Sequence, residues 1–256
     1  MIEGLARLLD LGEAGIAGFI LVFCRAAGVL GLLPGFGEQM IPARVRLGLA
    51  VALALATWPL ISTLELPQRP FLVLVLIEAG VGLLLGLAVR LMVVALQLAG
   101  AIAAQSTALA QIFGATVGPE PMPAIGNILM LAGVTLAVVS GLHVKAVLLL
   151  ARSFDVLPVG VPLPARDMAA WAVARVAQSF ALGFALAAPF VIAAFAYNLA
   201  LGAINRAMPQ LMVAFIGAPA ITAGAMLLLL LAAPVILQVW HGQFDATLAD
   251  PLALPR

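Results

Sequence analysis

The feature that most constrains this chain is the length of its apolar runs. Residues 71–104 and 169–204 each run for more than thirty positions with few polar side chains between them. About 20 apolar residues, rising about 1.5 Å each, cross the hydrocarbon core of a bilayer. Only 9% of the chain is charged, and its 12 Lys+Arg and 11 Asp+Glu are too few to solvate a globular surface, which ordinarily carries roughly 25% charged residues. This balance excludes a disordered chain, a basic nucleic-acid-binding surface and a secreted disulfide scaffold. It predicts an all-α, polytopic membrane protein.

Six hydrophobic stretches follow one another: residues 14–33, 47–64, 71–104, 124–150, 169–204 and 211–240. Residues 1–13 mix acidic and basic side chains and lack the basic start of a cleavable signal, so 14–33 reads as a retained first span. Pro and Gly interrupt the chain at 34–42, a turn or re-entrant stretch. Pro189 is expected to kink 169–204. The two over-long stretches predict either a helical hairpin or a helix projecting into partner proteins. If all six cross, Arg7, Arg69, Arg152, Arg166 and Arg256 lie on one side against Arg44, Arg46 and Arg206 on the other. That five-to-three count places both termini in the cytoplasm.

Arg25, Glu78 and Arg90 lie inside apolar stretches, where a charge costs several kcal/mol unless paired or hydrated. They read either as an ion or proton path or as pairs with one another, with carbonyls or with a partner subunit. The second reading is favoured because no series of carboxylates continues along the helix. His143 and Lys145 have no acid or nucleophile at helical spacing, and no metal, hydrolase or nucleotide motif is present. The chain therefore reads as a non-enzyme without a cofactor. Cys24, the single cysteine, reads as a packing residue. Gly82 and Gly86, four apart, would let a neighbouring helix approach closely.

The weakly polar segment Gln111, Ile112, Phe113, Gly114, Ala115, Thr116, Val117 and Gly118 puts apolar bulk on a flexible backbone. It reads as a movable plug or as an ordinary hairpin loop, and residue chemistry alone favours the loop.

Three groups of residues carry a family resemblance. Pro34, Gly35, Phe36, Gly37 and Glu38, followed by Ile41, Arg44 and Arg46, resemble the first loop of the FliR family. Gly141-Leu142-His143 and the segment from Ser153 to Pro158 resemble its central part. Asn198 to Gly202, then Asn205, Arg206, Met208, Pro209 and Gln210, then Phe215 to Gly217, resemble its C-terminal signature. The matches fall in order over nearly the whole chain, and the Asn–Arg–Pro–Gln block is the most specific.

The resemblance implies a single export-gate domain over residues 1–256, in the inner membrane at the flagellar basal body. It implies a core complex with FliP and FliQ type subunits, together with FlhA and FlhB type proteins, that passes unfolded export substrates. It also implies that residues 111–118 plug the closed channel, and that Pro34 to Glu38, Arg44, Arg46, Asn205, Arg206, Pro209 and Gln210 shape loops or subunit contacts. A virulence injectisome subunit is the close alternative. A small-solute transporter using Arg25, Glu78 and Arg90 is the more distant one.

Overall fold

The computed structural model describes residues 2–38, 41–60, 67–108, 124–162, 164–208 and 213–253. Among them the chain forms seven α-helices: α1 (Ile2–Leu32), α2 (Ala43–Thr57), α3 (Phe71–Ala108), α4 (Ala124–Val139), α5 (Leu142–Val156), α6 (Ala165–Ala207) and α7 (Val213–Ala249), with a short 3-10 turn at Trp58–Leu60. Four helices are long and apolar enough to cross a membrane, within Gly15–Leu32, Phe71–Ser106, Ala165–Ala207 and Ala220–Ala249. The all-helical, polytopic class read from composition is the one observed.

Two segments differ in detail from the sequence reading, and two more are decided between its alternatives. Of the expected second span at 47–64, the described part lies in α2 and the turn after it, residues 61–64 being outside the described residues; α2, at 15 residues, reaches about 22 Å, short of the roughly 30 Å hydrocarbon core. It tightens into Trp58–Leu60, where Pro59 removes a backbone donor. The stretch 124–150 is two helices bent by 72°. Gly141 takes the left-handed conformation, φ 85°, which a side chain would strain. The over-long stretches 71–104 and 169–204 lie within single helices of 38 and 43 residues, so neither is a hairpin. Helix α6 continues through Pro189. Among the described residues four helices, or five if the bent pair is one span, are long and apolar enough to cross, so the five-to-three charge count, which takes six crossings, does not orient the termini.

The fold divides into two compact units, Met1–Arg90 with Ala137–Arg175 and Phe244–Arg256, and Leu91–Leu136 with Val176–Gln243. In the first, α1 and α3 meet through glycine. A Cβ on Gly82 would strike the backbone carbonyl of Arg25, and one on Gly86 would come within 2.8 Å of the Val29 carbonyl. Gly28 faces back the same way: a Cβ there would come within 2.8 Å of the Leu83 nitrogen. The Gly82–Gly86 spacing therefore brings two backbones into contact, as small residues do between membrane helices. Beyond α1 the chain reverses tightly: Gly35 has φ 81° and the Gly37 amide donates to the Leu33 carbonyl at 2.8 Å.

In the second unit, α3 and α4 touch backbone to backbone at Gly100 and Gly126. Trp240 of α7 is fully buried and its indole N–H donates to the Met92 carbonyl at 2.7 Å. Ser179 of α6 donates to the Leu91 carbonyl at 2.6 Å. By contrast, Met226, Leu227, Leu230, Leu231 and Val235 stand exposed on α7.

The glycine contact gives a paired prediction. Gly82→Ala forces α1 and α3 apart and costs about 1–3 kcal/mol, the usual range for overpacking. Gly80→Ala, where a Cβ meets nothing within 4 Å, is neutral or stabilising by up to about 1 kcal/mol. Thermal unfolding midpoints of the two variants in detergent check this; equal midpoints would sink the packing assignment.

Candidate functional site

The best-defined polar site is built around Arg25, which α1 carries into the apolar interior of the first unit. Both Arg25 and Glu78 of α3 have zero exposure, and Arg25 Nε donates to Glu78 Oε2 at 2.7 Å. The remaining guanidinium nitrogens are also used. Nη1 donates to Ser153 Oγ at 3.0 Å and Nη2 to the Leu157 carbonyl at 2.9 Å. Ser153 in turn donates to the Leu150 carbonyl at 2.7 Å. The second carboxylate oxygen, Glu78 Oε1, accepts from the Gly160 amide at 2.9 Å. The Phe154 ring lies 3.8 Å from the guanidinium carbon, a cation–π contact.

This network staples α1, α3, α5 and the turn at 157–160. The turn is shaped for it: Gly160 has φ 72°, and a Cβ there would collide with Leu74 and Pro67 side chains. A buried ion pair recovers its desolvation cost only when its other polar atoms are satisfied, and here each guanidinium nitrogen and both carboxylate oxygens have a partner. The arrangement holds helices together and leaves no guanidinium nitrogen pointed at a ligand.

A second ion pair joins Arg90 of α3 to Glu38, through Nη1 and Oε1. Of the three charges read as buried, Arg25 and Glu78 have no exposure, whereas the Arg90 side chain is 30% exposed. Glu38 closes the loop whose Pro34 is buried and whose Gly35, Phe36 and Gly37 are half-buried. Arg44 is exposed and Arg46 half-buried in the first turn of α2. Asn205 and Arg206 are exposed in the last turn of α6, where a cation complements the helix dipole. Pro209 and Gln210 lie outside the described residues, as does the whole segment from Gln111 to Gly118. Lys145 pairs with Asp245 at 2.7 Å, while His143 is exposed. Among the described residues no group of three His, Cys, Asp or Glu gathers as a metal set.

Sequence reasoning missed the partners Ser153, Leu157 and Gly160, which lie 128 to 132 positions from Arg25 or 82 from Glu78 and carry no charge. It also passed over Arg175. That residue sits in an apolar stretch just as Arg25 does, is 3% exposed, and was open to the same test for intramembrane charge.

Comparison with known proteins adds a second line of observation. Residues 16–247 match the family described as bacterial export proteins, family 1. The flagellar biosynthetic protein FliR of Caulobacter vibrioides is 33% identical over 231 residues, covering 88% of this chain and 91% of that protein. The protein of the same name from Bacillus subtilis is 31% identical over 253 residues, 94% of each chain. That from Pectobacterium carotovorum is 31% identical over 246 residues, 93% of each.

The buried pair predicts a large coupling. Arg25→Leu or Glu78→Leu alone strands a charge and costs about 3–5 kcal/mol. The double variant costs much less than the sum, leaving an interaction of at least about 2 kcal/mol. Unfolding of the four proteins in detergent measures it; additive losses would show that the pair does not act as a unit.

Proposed function

The chain belongs to the FliR family of bacterial export proteins, and from that premise we propose that it is a core component of the flagellar protein export gate in the inner membrane. The carrying observation is the family match over residues 16–247, which reaches into α1 at one end and α7 at the other. The relatives compared are all named flagellar biosynthetic proteins, which favours a flagellar machine over an injectisome. Residues 1–256 act as one export-gate domain. FliP and FliQ type subunits complete the core complex, FlhA and FlhB type proteins adjoin it, and unfolded export substrates pass through.

Three structural features support this reading. Helices of 38 and 43 residues exceed the roughly 20 that a simple span needs, as expected of subunits that extend beyond the lipid. The window Ala220–Ala249 is only 17% buried within the chain, which leaves apolar surface for neighbouring subunits. The Arg25–Glu78 pair is consumed by its own neighbours, which speaks for support of a wall rather than for binding a small solute.

Residues 111–118 supply the plug. In the sequence they stand between α3 and α4, helices that close on each other at Gly100 and Gly126. Ile112 and Phe113, followed by Gly114 and Gly118, put apolar bulk on a hinged backbone, which seals against ions without a ligand. Export energy comes from the associated machinery; this chain carries no nucleotide motif.

Deleting residues 112–117 in the assembled channel raises resting ion leakage across a planar bilayer, and unchanged leakage would overturn the plug. Arg206→Ala lowers the yield of co-purified partner subunits several-fold if the α6 terminus makes a subunit contact. Full assembly with export lost would place Arg206 on the conduit instead.

A further inference from the structure

The end of α7 is held in a way that none of these roles uses. Asp250 closes the helix, its amide donating to the Ala246 carbonyl at 3.1 Å, and its Oδ1 accepts from the Ala253 amide at 3.0 Å. The chain that follows is gripped from α6. Arg175, 3% exposed, donates through Nη2 to the carbonyls of Asp250, Pro251 and Ala253 at 3.1, 2.9 and 2.7 Å. The Trp171 indole N–H reaches the Pro251 carbonyl at 3.2 Å. Those four bonds read backbone oxygens alone, so they fix the path of the tail whatever its side chains. Among the side chains, Asp250 and Ala253 are exposed, and Pro251 and Leu252 are half-exposed.

Beneath this segment lies a cavity of about 280 Å³. Ala249 to Leu252 form one wall. Leu85, Leu149 and Ser153 line it from the interior, and Arg152 and Asp155 stand at its charged rim. Ser153, 5% exposed, is also the residue that accepts from Arg25. One hydroxyl thus lies between the cavity and the buried ion pair.

We propose that residues 250–253 are a strap, clasped by Arg175 and Trp171, that walls one side of this half-open cavity and restricts the access of water to Ser153 and the Arg25–Glu78 pair until it is released. Water reaching Ser153 competes for the Arg25 bond, weakening the staple on α5 and the 157–160 turn. Release of the tail is thereby linked to loosening of the first unit. The hold is concentrated on one guanidinium, which makes the strap releasable by loss of that group, whereas a hydrophobic seal would have to be peeled residue by residue.

Thiol labelling tests the strap. Leu149 lines the cavity and is 2% exposed; Leu149→Cys in a Cys24→Ala background makes it the one thiol in the full chain, purified with its partner subunits. A small water-soluble methanethiosulfonate reagent labels it slowly. Arg175→Gln raises the rate about tenfold or more, the scale expected when bonds to a charged donor are lost. A stop codon in place of Asp250, which leaves Arg175 intact, does the same. Leu21→Cys, at a fully buried site of the same unit away from the cavity, keeps its slow rate in both backgrounds. Unchanged labelling at position 149 after both releases would overturn the strap. So would equal acceleration at positions 21 and 149, which would mean general loosening.

Discussion

A guanidinium with no exposure, set midway along an apolar helix, tolerates no neighbour that leaves its N–H groups empty. Arg25 therefore dictates much of its surroundings: a carboxylate on α3, a hydroxyl on α5 and a carbonyl in the turn after α5 must all arrive together. Apolar contacts alone would let these helices slide, because lipid is as good a partner for leucine as another helix is. A directional bond between buried charges does not slide. The pair thus sets register between α1 and α3, at the cost of a strong penalty if either member is lost.

That bond in turn requires backbones closer than ordinary side chains allow. Gly28, Gly82 and Gly86 remove the side chains that would hold α1 off α3, and Gly82 lies against the Arg25 backbone itself. The ion pair and the glycines are two halves of one contact. Without the glycines the guanidinium would not reach; without the guanidinium the contact would have only weak close-packing forces to fix it. Gly160 extends the same logic to the loop, where a left-handed backbone aims an amide at Glu78.

Much of this was legible in the sequence, for physical reasons that also mark the limits. Composition settles the membrane class because a bilayer accepts few charges. The cost of intramembrane charge singles out Arg25 and Glu78, and the Gly82–Gly86 spacing marks a close contact. Hydropathy does not distinguish α2, at 15 residues, from a span, since its length is decided by Pro59 and not by polarity. Nor does it separate α4 from α5, because a left-handed glycine at position 141 leaves no mark on an apolar average. Partners over a hundred positions away, such as Ser153 and Leu157, are set by tertiary packing, and a serine in an apolar stretch carries no distinguishing signal. The candidate plug rests on resemblance and on its place between α3 and α4.

The distribution of burial adds a last distinction that hydropathy conceals. The window Phe71–Ser106 of α3 is 44% buried within the chain, whereas Ala220–Ala249 of α7 is 17% buried at nearly the same hydropathy, 2.5 against 2.6. Equal apolar character is thus put to two uses. In α3 it builds the chain's own interior, with glycines on α1, α4 and α6 pressed against it. In α7 most of it faces outward: Ile221, Ala225 and Ile236 are buried singly, and burial is densest near Trp240, Phe244 and Leu248. A helix packed most densely at its C-terminal end, with exposed apolar side chains such as Met226, Leu230 and Val235 along the rest, suits the proposed assembly, which would cover them. The buried ion pair, the α1–α3 glycine contacts and the bonds from Arg175 to residues 250–253 share the first unit, so that unit carries its own means of holding its form.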